Sequence, residues 1–283
     1  WAFSPRVSIS SSYGTTANAY ALDRVPAGSS GGTASATAAS FGVIGMGSDT
    51  GNSIRGPSSH LALFGIRSTI GLTSRDGVIP LSFDRDIAGP MTRNVTDGAK
   101  AFNVVSGYDP ADSYTEAGKD HHESDYTAFL DASGLLGKRI GVLEALVTTE
   151  DADPEVTSVF EQAVVDLEKA GAVIVRDFAI DNFAAHLEGD YFCARFRYDM
   201  SQYLSSLGDE APITDVIDVL DTGQYSAYAK ESLEFFAGYP ADEHPADREP
   251  ACPDFAVHEG RQKFLADTVR AMDSASVDAI IYP

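Results

Sequence analysis

Residues 138–175 decide the fold class, and their sequence is KRIGVLEALVTTEDADPEVTSVFEQAVVDLEKAGAVIV. The segments at 138–143 and 172–175, of which the first is apolar from Ile140 onward, are typical of buried β-strands. Between them, Asp153 is suited to cap the start of a helix, apolar residues then recur at helical spacing, and Gly171 suits the helix end. Two strands joined through a helix run parallel with a right-handed connection, so this segment predicts an α/β fold.

The composition excludes several classes of protein. The chain has 283 residues, 43% of them hydrophobic, and its 15 Phe and 12 Tyr argue against intrinsic disorder. No apolar run approaches the roughly 20 residues of a transmembrane helix, so we expect no membrane span. An isoelectric point near 4.4 argues against nucleic acid as a partner, because its phosphates require clustered Lys and Arg. The length suits a single domain over 1–283.

Charge is distributed unevenly along the chain. Residues 1–100 hold eight Lys or Arg and six Asp or Glu, whereas residues 101–283 hold 12 and 36. The net charge of −22 therefore belongs to the later part, and the first hundred residues are nearly neutral and rich in small side chains. No Lys precedes Lys100.

The cysteines and histidines predict no metal site. Cys193 and Cys252 are too few for a disulfide scaffold and are not at metal-ligand spacing, so we expect two separate thiols, with a single bridge as the alternative. His121 and His122 are adjacent within a polar segment, which favours a solvated loop. His60 follows two serines and is interpreted as a packed helix residue rather than a base.

A Gly- and Ser-rich loop precedes a predicted small-residue helix. Gly28-Ser29-Ser30-Gly31-Gly32-Thr33 could cradle a phosphate at a helix N-terminus, but the segment has no Gly-Lys-Ser/Thr ending. It also fits the G-x-S-x-G pattern of a nucleophile elbow, which requires a strand directly before it, and residues 20–26 make a poor strand. A Ser/Gly linker without a catalytic role is the third interpretation. The loop by itself leaves all three open.

A second small-residue segment follows, Gly47-Ser48-Asp49-Thr50-Gly51-Asn52-Ser53-Ile54-Arg55-Gly56-Pro57. A serine again follows a tight turn here, and the backbone N–H groups of Thr50, Gly51 and Asn52 are free to point at one spot. A hydroxyl nucleophile beside fixed hydrogen-bond donors is what acyl transfer requires. The two segments together therefore favour acyl-transfer chemistry.

The two segments, taken in order, resemble the amidase signature family. The similarity continues through 64–71, 76–80 and 88–97, and it is dense from about Asn18 to Asp112. It implies an α/β fold with a mixed β-sheet core covered by helices on both faces, of which this chain would hold part. The catalytic core would span about 14–110, and a variable, aromatic-rich region on the substrate side would span about 182–260.

The resemblance also assigns roles to individual residues. Ser53 would be the nucleophile and Ser29 the bridging serine, with a cis peptide bond to Gly28 or Ser30. The oxyanion hole would be formed by the N–H groups of Thr50, Gly51, Asn52 and Ser53. Ser30 would support the network, Asp49 and Arg55 would hold the loop in shape, and the acyl pocket would be lined by one or two of Tyr191, Phe192 and Phe196.

The implied activity is hydrolysis of a C–N amide bond in a small molecule through an acyl-enzyme, with no metal or organic cofactor. A rival hypothesis is a partner-bound relative, such as the amidase subunit of a tRNA-dependent amidotransferase, or a non-catalytic amidase-like protein. A third is an α/β-hydrolase that uses Ser30. A homodimer is left open, and the cytoplasm is the favoured location.

The sequence departs from the family pattern in three places. The family's catalytic Lys lies several tens of residues upstream of the bridging serine, where this chain has no lysine. We therefore expect a central portion of a longer enzyme, and residues 1–283 alone are predicted to be inactive. Asn52 stands where the family usually has Gly, and it allows a narrower range of backbone φ and ψ angles than Gly does. Ile66-Arg67-Ser68-Thr69 replaces a Leu-Lys-Pro-Thr turn.

Overall fold

The computed structural model describes residues 6–189 and 192–283. The strands, in chain order, are β1 (Ser8–Ser10), β2 (Gly14–Thr16), β3 (Ile44–Asp49), β4 (Phe64–Gly65), β5 (Ile87–Thr92), β6 (Arg139–Val142), β7 (Val173–Val175) and β8 (Ala279–Ile281). The α-helices are α1 (Gly31–Ala38), α2 (Arg55–His60), α3 (Val95–Val105), α4 (Thr115–Gly118), α5 (Pro154–Lys169), α6 (Phe183–Glu188), α7 (Phe196–Ser206), α8 (Val219–Thr222), α9 (Ala227–Ala237) and α10 (Glu259–Ala275). Short 3-10 turns lie at Tyr126–Phe129, Glu144–Leu146, Gly208–Glu210, Val216–Asp218 and Pro245–Asp247.

The chain divides into two compact units. Unit 1 comprises residues 1–128 and 193–254, and unit 2 comprises residues 129–192 and 255–283. The predicted assignment of 1–283 to one domain stays a prediction. No helix of the described chain is both long enough and apolar enough to cross a bilayer.

An antiparallel sheet organises the first half of unit 1. Its strand order is β3-β5-β4, and the register sets Asp49 opposite Ile87 at one end and Ile44 opposite Thr92 at the other. Helix α1 packs against β3, and a Cβ atom added to Gly45 would overlap Thr33 and Thr37 of that helix. The small residues of this region are therefore required for the close approach of α1 to β3.

The apolar residues of Val43–Gly47 predict a short buried strand, and a strand is present there but is only partly buried. Strand β3 lies at the edge of its sheet among the described residues, and Ile44 and Met46 are 46% and 44% exposed. The prediction of full burial was wrong because α1 covers one face of β3 and leaves the apolar side chains of the other face exposed. The sequence also allows a helix over Ile54–Phe64, but α2 is shorter and ends at His60, since strand β4 begins at Phe64.

Helices α7, α8 and α9 form a separate part of unit 1. Its core contains Phe196, Met200, Leu204, Leu233 and Phe236, with Val216 and Ala229. The many aromatic residues of 183–239 are expected to be mostly core, and this expectation is only partly met. Half or more of the surface of Phe235 and Tyr228 is exposed on α9.

The two cysteines form a disulfide, which corrects the expectation of separate thiols. Cys193 and Cys252 are bonded, with their Cα atoms 5.8 Å apart. The segments around them are also joined by polar contacts: Arg195 pairs with Asp254 at 2.6 Å, and Arg248 donates to the Ala194 carbonyl at 2.6 Å. The two cysteines are 59 residues apart in the sequence, and these long-range contacts bring them together. The spacing alone therefore does not predict the disulfide.

Unit 2 contains the βαβ segment that the sequence predicts. Strands β6 and β7 are parallel, as expected, and β8 pairs in parallel on the other side of β6, giving the order β7-β6-β8. The α/β class is confirmed, with the antiparallel and parallel strands in separate sheets of the two units. The carboxylate of Asp278 accepts a hydrogen bond from the Arg139 N–H at 2.8 Å and one from Lys138 Nζ at 3.1 Å. These bonds fix the register of the last strand.

Helix α5 begins and ends as the sequence indicates. Asp153 accepts a hydrogen bond from the Glu155 N–H at 2.8 Å, Pro154 occupies the first helical position, and Gly171 follows the helix with φ of +94°. The sequence predicts a final helix over about 255–272, and the observed helix α10 lies a few residues later, at Glu259–Ala275.

Loss of the α5 cap gives a direct test of this unit. Asp153→Ala removes the acceptor for the Glu155 N–H and should lower the free energy of unfolding by about 1 kcal/mol. Urea denaturation followed by far-UV circular dichroism measures the change. Asp151→Ala, an exposed aspartate in the preceding turn, is the matched control. An equal effect of both variants would contradict a capping role.

Candidate active site

The Gly- and Ser-rich loop lies between unit 1's N-terminal hairpin and α1. The peptide bond between Gly28 and Ser29 is cis, which confirms the first of the two expected positions. Ser30 is the N-cap residue of α1, and its Oγ contacts the backbone of Ser48, donating to the carbonyl at 3.2 Å and accepting from the N–H at 3.3 Å. The loop is thereby fixed to strand β3.

A backbone hydrogen bond joins the two serine-containing segments. The N–H of Ser30 donates to the carbonyl of Ser53 at 3.2 Å. Ser53 is only 7% exposed and lies just before α2. The structure therefore places Ser53 directly beside the Ser29–Ser30 loop, as an interaction between these serines requires.

The turn between β3 and α2 presents unused backbone donors. Within residues 6–189 and 192–283, no acceptor is found for the N–H groups of Thr50, Gly51, Asn52 and Ser53. The next N–H, that of Ile54, donates to the Asp49 carboxylate at 3.0 Å. Four successive donors without a protein partner form an arrangement suited to bind an anion or an oxyanion.

Asp49 is the fixed point of this turn. Its side chain is fully buried and accepts hydrogen bonds from the Ile54 and Arg55 N–H groups, from the Arg55 guanidinium at 3.1 Å and from Arg67 Nε at 3.2 Å. Burial would raise the pKa of Asp49, but the bonds from Arg55 and the backbone outweigh it and the pKa is lowered. Arg67, which the sequence places in the turn at 66–69, thus also donates a side-chain hydrogen bond to Asp49.

Two further residues, which no sequence motif singles out, hold Thr50 in place. The Thr50 hydroxyl donates to the carboxylate of Asp86, and the Thr50 carbonyl accepts a bond from Arg85 Nε at 3.1 Å. Asp86 is 4% exposed, and this burial raises its pKa against the opposing effect of its hydrogen bonds. The cluster of charged residues at 84–86, within a region otherwise rich in small and apolar side chains, was the signal that could have revealed them.

Asn52 is accommodated without special backbone geometry. It does not have a positive φ, so the position does not require Gly in this chain. Its side chain lies against Gly56, where an added Cβ would overlap the Asn52 amide. The Asn52 side chain, where the family usually has Gly, therefore fits because Gly56, four residues later, has no side chain.

A cavity of about 320 Å³ lies beside the serine loop. Its lining consists of Ser29, Ser30, Ser48, Thr50, Ile79, Pro80, Leu81, Asp86, Phe196 and Met200. This lining does not include Ser53, which lies next to Ser30 through the bond described above. Of the aromatic residues considered for a substrate pocket, Phe196 lines this cavity. Phe192 belongs to unit 2 and is 47% exposed, and Tyr191 lies outside the described residues.

A larger cavity of about 670 Å³ also lies in unit 1, and it contains none of these serines. Its walls include Arg75, Tyr114, Tyr198 and Tyr203, and Pro80 is common to both cavities. The smaller cavity is lined by Ser29, Ser30, Ser48 and Thr50, whereas the larger one is lined by none of them, so the smaller cavity is the candidate site.

The weaker candidates lie elsewhere. His60 ends α2, is exposed rather than packed, and has Nδ1 3.2 Å from the Val25 carbonyl. His121 and His122 are exposed in a turn. Among the described residues, no group of three His, Cys, Asp or Glu side chains is arranged to hold a metal ion. Residues 17–30 form no strand, so the nucleophile-elbow interpretation lacks its required element.

Comparison with known proteins defines the class. The family model described as amidase matches residues 3–283. The structure is similar to an amidase family protein from Bacillus anthracis, with a TM-score of 0.82 and 26% identity over 98% of this chain and 55% of that one. It is also similar to the peptide amidase of Stenotrophomonas maltophilia, with a TM-score of 0.77 and 29% identity over 99% of this chain and 59% of that one.

The chain belongs to the amidase family. Among curated proteins it is similar to the A-subunit of glutamyl-tRNA(Gln) amidotransferase from Acinetobacter baylyi, with 44% identity over 166 residues, which are 59% of this chain and 33% of that protein. The chain thus spans between about a third and three fifths of the lengths of the relatives it matches.

The Asp49 network has a testable pH signature. Because the pKa of Asp49 is lowered by folding, its contribution to stability is present at neutral pH and is lost as the pH falls through the folded pKa. Asp49→Asn replaces a carboxylate oxygen by an NH2 group that cannot accept the hydrogen bonds from Ile54 and Arg55, and it should destabilise the protein by about 2 kcal/mol at pH 7. The difference from the unchanged protein should shrink between about pH 5 and pH 2.

Thermal unfolding across this pH range measures both effects. Asp166→Asn, which removes an exposed ion pair with Lys169 on α5, is the control and should have little effect at any pH. A destabilisation by Asp49→Asn that did not change with pH would show that the charge of Asp49 is not what stabilises the turn.

Proposed function

We propose that this chain carries the nucleophile and the oxyanion-binding turn of an amide hydrolase that cleaves C–N bonds in small molecules. The observation that carries the proposal is the turn at 50–53, which contains Ser53 and in which four successive N–H groups of the described chain have no protein acceptor. The bond from the Ser30 N–H to the Ser53 carbonyl supports it by joining this turn to the loop that holds Ser29. Relatives named as amidases support the choice of an amide substrate.

In the proposed reaction, the Ser53 Oγ attacks the amide carbonyl carbon. The negative charge that develops on the carbonyl oxygen is stabilised by the N–H groups of Thr50–Ser53, which need no reorganisation because the turn is already formed. The hydroxyl proton of Ser53 passes through Ser29 to a base, for which the family resemblance implies a lysine. The base then gives this proton to the amide nitrogen as the C–N bond breaks, and ammonia or an amine leaves. Water next adds to the acyl carbon, and one of its protons returns to the Ser53 Oγ as the carboxylic acid is released.

The substrate's acyl group is proposed to occupy the 320 Å³ cavity. Phe196, Met200, Ile79, Pro80 and Leu81 provide an apolar wall, and the serines and Thr50 provide the polar side. This combination suits an uncharged acyl group with its carbonyl directed toward the turn. No resident cofactor or metal is part of the proposal.

A second candidate is the amidase component of a tRNA-dependent amidotransferase, and the similarity to such a component from Acinetobacter baylyi favours it. The amide chemistry would be the same, with the released ammonia passed to a partner protein. Residues 101–283, with 12 basic and 36 acidic side chains, argue against contact with tRNA by this chain itself. Ammonia release by the purified protein without a partner favours the independent hydrolase.

Replacement of the proposed nucleophile tests the proposal. In the full-length protein, Ser53→Ala should lower kcat for amide hydrolysis by at least about 10⁴-fold, since the acyl-enzyme can no longer form. Ser59→Ala, which removes an exposed hydroxyl on α2, is the matched control and should retain full activity. Retained activity in Ser53→Ala combined with loss in Ser30→Ala would move the nucleophile to Ser30.

The position of the acyl group has its own test. Ile79 lines the cavity and is 64% exposed, so Ile79→Trp should narrow the entrance with little disturbance to the core. We expect kcat/KM to fall about tenfold for a bulky aryl amide, chiefly through KM, and to change less than about threefold for acetamide. Equal effects on both substrates would contradict this placement of the acyl group.

A further inference from the structure

Thr50 is held from two sides by consecutive residues. Arg85 Nε donates to its carbonyl at 3.1 Å, and Asp86 accepts a hydrogen bond from its hydroxyl. The register of the antiparallel sheet explains the arrangement, since Asp49 ends β3 directly opposite Ile87, the first residue of β5. Residues 85 and 86 therefore approach the turn at residue 50 wherever β3 and β5 are paired.

The two holding residues are themselves fixed. Asp86 accepts hydrogen bonds from the Leu81 and Ser82 N–H groups at 2.8 and 3.0 Å. The N–H groups of Arg85 and Asp86 both donate to the Ser82 carbonyl, at 3.0 and 2.9 Å. Residues 81–86 thus form a closed turn that presents a carboxylate and a guanidinium to Thr50.

The planarity of the peptide unit connects these contacts to the proposed oxyanion site. In a trans peptide the C=O and the following N–H point in opposite directions, and the bond between Thr50 and Gly51 is trans. Holding the Thr50 carbonyl therefore fixes the direction of the Gly51 N–H. Arg55 Nη2 does the same one residue later, since it donates to the Gly51 carbonyl at 2.5 Å and so fixes the Asn52 N–H.

We propose that Arg85 is a positioning residue that aims the Gly51 N–H at the oxyanion formed in the reaction, with Asp86 as the anchor that keeps Thr50 within its reach. The inference rests on the proposed function, because it gives the turn at 50–53 the role of an oxyanion hole. A cationic donor on the Thr50 carbonyl also polarises that peptide unit and strengthens the Gly51 N–H as a donor. Arg85 and Arg55 thus hold two successive carbonyls of the turn, those of Thr50 and Gly51.

The experiment compares substitutions at Arg85 in the full-length protein, with a fluorophosphonate as the probe. In the labelling reaction the Ser53 Oγ–P bond forms as the P–F bond breaks, fluoride leaves, the hydroxyl proton passes to the base, and the phosphoryl oxygen occupies the oxyanion site. Arg85→Ala should slow labelling and lower kcat for 4-nitroacetanilide by about 10- to 100-fold, with KM changed less than about threefold. Arg85→Lys should recover part of the loss, since an ammonium can still donate to the Thr50 carbonyl.

Arg93→Ala is the matched control, because Arg93 also donates to two backbone carbonyls, those of Thr37 and Gly42, but none in the turn. It should leave labelling and kcat unchanged. A kcat for Arg85→Ala within about threefold of the unchanged protein would overturn the inference, as would an equal loss in Arg93→Ala. Retention of labelling in Ser53→Ala would instead refute the proposed function, whatever the result at Arg85.

Discussion

The buried carboxylate of Asp49 is the interaction on which the rest of the site depends. It ends strand β3 and accepts hydrogen bonds from two backbone N–H groups and two arginines. The N–H groups of Ile54 and Arg55 donate to this carboxylate, so the chain turns back between Asp49 and α2. The four N–H groups in between, those of residues 50–53, therefore take no part in the hydrogen bonding of strand β3 or of helix α2. The turn that leaves these donors unused is thus formed because the buried Asp49 carboxylate requires hydrogen-bond partners.

Three pieces of chain far apart in sequence converge on this turn. The serine loop contacts it through the Ser30–Ser53 backbone bond, and residues 85–86 contact it through Thr50. Helix α7 supplies Phe196 and Met200 to the neighbouring cavity. The first two contacts are fixed by the β3–β5 pairing and the close packing of α1 on β3, which only small side chains permit. The many small side chains of the first hundred residues are consistent with this packing.

Local patterns in the sequence predicted those features that arise from neighbouring residues. The Asp153 cap, the parallel β6 and β7, and the turn after Asp49 depend on spacing and propensity, and all three are present. The contributions of Arg85 and Asp86 depend on the register of two strands, and the Cys193–Cys252 bond depends on long-range contacts at α7. Such features carry little local signal, which is why the partners of Thr50 and the disulfide were missed. The exposed side of β3 was missed for the same reason, since burial of a strand depends on what covers it.

The central claim is that Ser53 is the nucleophile, beside an oxyanion site made of backbone N–H groups. The most direct measurement is tandem mass spectrometry of the full-length protein after reaction with a fluorophosphonate, which locates the covalent adduct on the chain. We expect a single adduct on the Ser53 side chain, with its phosphoryl oxygen bound by the turn. An adduct on Ser29 or Ser30 in place of Ser53, or no adduct in a protein that hydrolyses amides, would contradict the claim.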